Sequence, residues 1–395
     1  MSIIYLDNAA TSFPKPPCVL HEVNRCIRTY GGNPGRGSHP MALAAANKIY
    51  ECREQISSLF GVSSPERVFF TLNATYALNV MVKGLLRPGD HVLISDMEHN
   101  ALWRPVERCC RDHLIEYDLF PCMLATEEER RLRSPVRICA RIAARIKPNT
   151  RAVFCVHQSN LCSAQLPIAE IGAFCRRHHL LFIVDASQSA GHLSIDMERM
   201  GIDALCAPGH KGLYGIQGCG FGILREGLLP DTLIEGGSGF ASLEASMPEE
   251  FPERAEAGTL PTPAIAGLCE GIKYIRQVGT EEILSHEKRL FVQLKERLQS
   301  LPNYQIYLPE YAGSTLMFVR KGIPSDKIGA YLSSRGICVR TGYHCSALGH
   351  RTLGTPAGGG VRISTGIFNR SCDIETLYRT LKDMEHGYEI TQEHP

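Results

Sequence analysis

Lys211 stands in Pro208-Gly-His-Lys-Gly212, between glycines and directly after the apolar run Asp203-Ala-Leu-Cys-Ala207. A lysine there is off any solvated helix face, and its amine is of the kind that condenses with a carbonyl group. Four more polar clusters follow apolar runs in the same way: Asn73-Ala-Thr75, Glu98-His-Asn100, His157-Gln-Ser-Asn160 and Asp185-Ala-Ser-Gln188. The Asn73 triplet reads either as a helix N-cap or as a phosphate cradle of backbone N–H groups. Asp185 closes an apolar strand, where a carboxylate needs a cationic partner or several donors. A lysine for a Schiff base, a carboxylate for a pyridinium nitrogen, a phosphate cradle and an imidazole to stack are the parts that pyridoxal phosphate chemistry requires. Far downstream, Cys345 ends Arg340-Thr-Gly-Tyr-His-Cys345. A thiol is a nucleophile when ionised, and His344 beside it could help ionise it; among 16 cysteines the spectator reading stands next to the catalytic one.

The elements that must position these groups are short and apolar. Arg67–Thr71, His91–Ser95, Ala152–Val156, Leu180–Val184 and Asp203–Ala207 read as strands buried on both faces of a parallel sheet. Helical stretches at Ala77–Leu86 and Ile168–His179 alternate with them, which predicts an α/β fold. Ligands of open α/β sheets bind at the carboxyl ends of the strands, so the five clusters predict one converging pocket. Gly220–Leu224 follows glycine-rich turns and suits an antiparallel neighbour. After Thr262 the texture turns to amphipathic helix, at Ala264–Gly279 and Glu281–Leu301. Short strands at Thr315–Val319 and Gly336–Val339 and a last helix from about Asp373 follow.

Composition narrows the function classes. Lys and Arg number 42 against 41 Asp and Glu over 395 residues, a balance that argues against nucleic acid as partner. The opening Met-Ser-Ile-Ile-Tyr-Leu-Asp-Asn lacks a secretory pattern, and no apolar run approaches the ~18 residues of a membrane span. The expectation is a cytoplasmic protein with reduced thiols and no membrane association. Cys345 with His350 suggests a metal only weakly, because the paired ligand spacings of zinc sites are absent; no metal is expected. Gly218-Cys-Gly-Phe-Gly222 precedes a strand where a dinucleotide loop must follow one.

With these motifs in order, the sequence resembles the class V aminotransferase family of pyridoxal-phosphate enzymes, in its cysteine desulfurase and selenocysteine lyase branch. The likeness runs from Tyr5-Leu-Asp-Asn-Ala-Ala-Thr11 through Arg36-Gly-Ser-His39, Asp185-Ala-Ser-Gln188, Gly209-His-Lys211, Glu256-Ala-Gly-Thr259 and Arg340–Cys345 to Val361-Arg-Ile-Ser364. It implies a fold type I enzyme. A large α/β domain with a mainly parallel sheet would span 1–265, its first fifteen or so residues packing on a smaller α+β domain, 266–395, that carries Cys345 and Arg362. The resemblance also implies the roles. Lys211 would hold pyridoxal phosphate and move the Cα proton, His99 would stack on the ring, Asp185 would pair with its nitrogen and Gln188 with its phenolic oxygen. Thr75, the backbone of Ala74, and His210 would hold the phosphate. Asn160 would touch the cofactor or the substrate carboxylate, and Arg362, with Arg340 in the substrate site, would clamp that carboxylate.

Ala74 and Pro208 stand where the family often has hydroxyl residues, so two phosphate contacts are missing. Cys345 matches the desulfurases whose cysteine sits on a short, ordered loop. The implied reaction takes L-cysteine to L-alanine with a persulfide on Cys345, with L-selenocysteine as the nearest variant substrate. The alternatives are β-elimination, transamination or epimerisation of another amino acid. A homodimer and a protein acceptor for sulfur or selenium complete the implied partners.

Overall fold

The computed structural model describes residues 3–35, 37–122, 135–308 and 313–392; Arg36 of the Arg36–His39 motif lies outside them. The chain divides into two compact units. One comprises Lys15–Gln158 and Leu166–Thr280, the other Met1–Pro14, Ser159–Gln165 and Glu281–Pro395.

The larger unit is built on seven strands: β2 (Val68–Thr71), β3 (His91–Ser95), β4 (Glu116–Phe120), β5 (Thr150–Val156), β6 (Leu181–Asp185), β7 (Ala204–Pro208) and β8 (Gly220–Leu224). Their order is β2-β8-β7-β6-β5-β3-β4. Only β8 runs against the rest, pairing antiparallel with both β2 and β7, as its glycine-rich approach suggested. Phe69, Leu93, Phe154, Phe182 and Leu205 are wholly buried, which is why these strands read as unbroken apolar runs. β4 gave no such signal, because four of its five residues are exposed or half-buried at the sheet edge.

Helices α1 (Pro17–Arg25), α2 (Pro40–Leu59), α3 (Ala74–Leu85) and α4 (Asn100–Arg111) belong to this unit. The Thr262–Val278 helix packs on α1 and α2. Its buried face, including Ile265, Leu268, Ile272 and Ile275, moves the change of unit to 280/281 instead of the expected 265/266.

The smaller unit holds an antiparallel sheet ordered β12 (Arg340–Gly342), β13 (Gly360–Ser364), β10 (Thr315–Arg320) and β9 (Tyr304–Tyr307). A two-stranded parallel pair joins β1 (Ile4–Tyr5) to β11 (Ile337–Cys338). Leu6, Leu294, Phe318, Ile328, Val361 and Leu377 form part of its core. The α/β architecture with a smaller α+β unit is the one expected. No helix among the described residues is long and apolar enough to cross a membrane.

Arg53 on α2 ties the larger unit together. Its guanidinium grips Glu256 through two hydrogen bonds, at 3.0 and 2.7 Å, and donates to the Val68 carbonyl at 2.6 Å. Glu256 also accepts from the Phe70 N–H at 2.5 Å, and both side chains are buried. Breaking a buried pair strands the surviving charge, so Glu256→Ala should lower the unfolding free energy by about 3–5 kcal/mol. Urea unfolding of both proteins measures the difference.

Candidate active site

β2, β3, β5, β6 and β7 run the same way, so the groups that follow them collect at one edge of the sheet. After β2, the Asn73 side chain caps α3 by accepting from the Tyr76 N–H at 3.1 Å. Asn73 is thus the N-cap of α3, and the N–H groups of Ala74 and Thr75 precede the intrahelical ladder. A Cβ on Gly220 would come within 2.7 Å of the Asn73 Cα, so β8 meets this turn backbone to backbone. After β3, His99 caps α4, its Nδ1 accepting from the Ala101 N–H at 3.0 Å.

Asp185 ends β6, 2% exposed, with Oδ1 accepting from the Ser187 N–H at 2.8 Å. Burial raises its pKa, opposed by Ser187 and by the charge of Lys211. Gln188 is half-buried in the turn beyond. His210 and the half-buried Lys211 follow β7, which ends on Pro208. Burial, with Lys211 and Lys15 nearby, lowers the His210 pKa to about 4. The imidazole is neutral near pH 7.

Two buried groups carry no catalytic signature in the sequence. Burial pushes the Glu98 carboxyl up to about 8, against bonds from the Ser95 hydroxyl and the Val156 N–H. His157, lowered by burial to about 4, has no hydrogen-bond partner at Nδ1. Half-buried Lys15 donates to the His210 carbonyl at 2.7 Å.

The other expected residues fall in the smaller unit, and Asn160 is among them. Sequence order placed it with the large domain, after the third apolar strand. Its side-chain amide donates to the His344 carbonyl at 2.8 Å, and its own carbonyl accepts from Arg362 Nη1 at 3.2 Å. Those long-range bonds draw Ser159–Gln165 into the smaller unit.

Arg362 is 2% exposed on β13 and donates through Nη2 to Asp7 Oδ1 at 2.7 Å, while its buried Nε has no partner among the described residues. Arg340 sits directly across from it on β12. Two cationic residues thus stand opposite one another across the strands, and the Asp7 carboxylate bonds the buried one.

Cys345 is exposed on the turn between β12 and the Ala347–Leu353 helix. His344 and Cys345 both adopt left-handed backbone, with φ of 51° and 54°. Consecutive non-glycine residues in that region carry strain that surrounding contacts must hold. His344 supplies them. Its Nε2 lies 3.2 Å from the Arg340 carbonyl and its Nδ1 3.4 Å from His350 Nε2, while His350 Nδ1 is 2.7 Å from the Thr355 hydroxyl. Burial lowers His344 to about 3. A neutral ring with both nitrogens engaged is an anchor for the turn and gives the thiol no ion-pair partner, contrary to the role that adjacency suggested. Both ring nitrogens of His350 are engaged likewise. Elsewhere Glu51, Cys269 and Glu270 converge, but Lys48 and Lys273 bridge both carboxylates.

The family description "Aminotransferase class-V" matches residues 4–377. The chain belongs to the class-V aminotransferase family. A probable cysteine desulfurase of Methanothermobacter thermautotrophicus is 31% identical over 390 residues, covering 96% of this chain and 94% of that protein. A cysteine desulfurase of Salmonella agona is 28% identical, covering 95% and 92%. The apo structure of a cysteine desulfurase from Thermococcus onnurineus NA1 superposes with a TM-score of 0.88 at 27% identity, covering 98% of this chain and 95% of that one. The fold of this class-V family member is accordingly fold type I.

The depressed histidine has a thermodynamic consequence for this family member. His344 ionises near 3 when folded, against 6.5 ordinarily, so between those values the unfolded chain binds more protons. Its contribution to stability is complete above pH 6.5 and is lost as pH falls toward 3. The urea unfolding free energy should drop below pH 6.5, with a shallower slope in His344→Asn than in the parent.

Proposed function

We propose that this chain is a pyridoxal-phosphate-dependent cysteine desulfurase, converting L-cysteine to L-alanine and taking the sulfur as a persulfide on Cys345. One observation carries the reading. Arg362 bonds the carbonyl of Asn160, and the Asn160 amide bonds the carbonyl of His344, which belongs to the peptide bond of Cys345. A guanidinium suited to a carboxylate and a thiol suited to sulfur thus share one hydrogen-bonded path. The relatives named cysteine desulfurase support the same reading.

The larger unit has the donor set for the cofactor. When bound, pyridoxal phosphate supplies an electron sink for the bonds around the substrate Cα. Lys211 would hold it through its amine and would then carry the Cα proton. Asp185, a desolvated carboxylate that gains from a cation, would keep a proton on the ring nitrogen. His99 would stack on the ring and Gln188 would meet its phenolic oxygen. The phosphate would be held by the first-turn N–H groups of Ala74 and Thr75, the Thr75 hydroxyl and neutral His210.

Arg362 receives the substrate carboxylate, using the Nε that no protein group occupies, with Arg340 and Asn160 beside it. The Cys345 thiolate attacks the substrate γ-sulfur. An S–S bond forms, the Cβ–S bond breaks with its electron pair left on carbon, and a proton completes the alanine methyl group. The persulfide passes to an acceptor thiol. A homodimer is supported by the exposed Leu229, Ile234, Phe240 and Leu243 in the stretch after β8, and a reducing cytoplasm by 16 free cysteines.

Lys211→Ala should lose the visible cofactor band and turnover together. Cys345→Ala should keep the band while alanine formation from cysteine falls by at least about a hundredfold. Alkylation and mass spectrometry should find the extra sulfur on Cys345 of the parent during turnover, with L-selenocysteine assayed in parallel. Wild-type turnover by Cys345→Ala, with no persulfide in the parent, would favour β-elimination or transamination. Sedimentation velocity should give a species of twice the chain mass, and a fully active monomer would rule out the dimer.

A further inference from the structure

The turn that carries Lys211 is held carbonyl by carbonyl. The Gly209 oxygen accepts from the Gly215 N–H at 2.8 Å and the Lys211 oxygen from the Tyr214 N–H at 2.9 Å. Between them, the His210 oxygen accepts from Lys15 Nζ at 2.7 Å, a donor 195 residues away in the chain. That carbonyl belongs to the peptide bond leading into Lys211, so its plane sets the direction in which the Lys211 side chain departs. Two of the three restraints are local turns. The third is a side chain from the segment just ahead of α1.

The other face of the turn has no slack. A Cβ on Gly212 would lie 2.4 Å from the Ala190 oxygen and the His192 ring, and one on Gly191 would lie 2.3 Å from the Gly212 oxygen. Backbone packing thus fixes where the turn sits, and Lys15 fixes how the His210–Lys211 peptide is rotated. Burial lowers the Lys15 pKa to about 8, a cost that an apolar side chain of similar length would not incur.

We propose that Lys15 is a positioning residue for Lys211, acting through the His210 carbonyl to fix the orientation from which Lys211 bonds the cofactor and moves a proton. The inference rests on the reading of Lys211 given above.

Full-length Lys15→Met and Lys15→Arg test it. Lys15→Met removes a charge-assisted hydrogen bond, so the dissociation constant for pyridoxal phosphate, titrated on the visible band, should rise at least about tenfold. Turnover number should fall while KM for cysteine holds. The cofactor-free melting temperature should stay level or rise, and Lys15→Arg should restore most of the affinity. Wild-type affinity and turnover in Lys15→Met would overturn the proposal. So would a lowered cofactor-free melting temperature that Lys15→Arg shares along with the whole loss of affinity, since that pattern marks a purely structural role. Failure of the underlying reading looks different: a borohydride-trapped cofactor surviving in Lys211→Ala would show that Lys211 is not the anchor, whatever Lys15 does.

Discussion

A buried guanidinium has to be paired, and in the smaller unit that requirement falls on Arg362. At 2% exposure it cannot rely on water, so Asp7 from the start of the chain and the Asn160 carbonyl from its middle come to it. Ser364, two residues on, pairs with Leu6 and Asn8 through backbone hydrogen bonds. Three distant segments become one body around a single charge. The pairing is incomplete, since Nε is left over, and the same desolvation that demands partners makes the remaining donor a strong site for a carboxylate.

The larger unit meets a similar demand with carboxylates. Asp185 and Glu98 are buried at the carboxyl edge of the sheet, and the charge of Asp185 adds to the burial that raises the Glu98 pKa. Glu98 resolves the conflict by carrying a proton, with its pKa at about 8. Asp185 is left as the group that gains most from a cation, and Lys211 already acts on it. Close backbone packing at Gly191, Gly212 and Gly220 keeps this edge in place.

Much of this was legible in the residues. Five strands and the antiparallel β8 announced themselves because burial on both faces requires unbroken apolar runs, and the strand-end clusters followed from topology alone. What was hidden depends on distant partners. Asn160 reads as a strand-end residue until its bonds to His344 and Arg362 are seen, 184 and 202 residues away. Lys15 has a backbone carbonyl as its partner, which no side-chain motif can advertise. The place of His344 is hidden in the same way, because its ring turns to Arg340 and His350, which adjacency to Cys345 does not reveal. β4 was missed because an edge strand need not be apolar.

The ring of contacts around Arg362 also has a clock. Asp7 and Arg362 are 355 residues apart, and at ribosomal speeds of about 5–20 residues per second roughly 20 to 70 s separate their synthesis. During that interval Leu6, wholly buried in the finished protein, has neither its core nor its strand partner. β1 waits for Ile337 and Cys338, while Lys15–Gln158 and Leu166–Thr280 already contain everything the larger unit needs. In nascent chains of this protein β1 and Leu6 therefore lack their partners until Ile337, Cys338 and the strands beyond them are made.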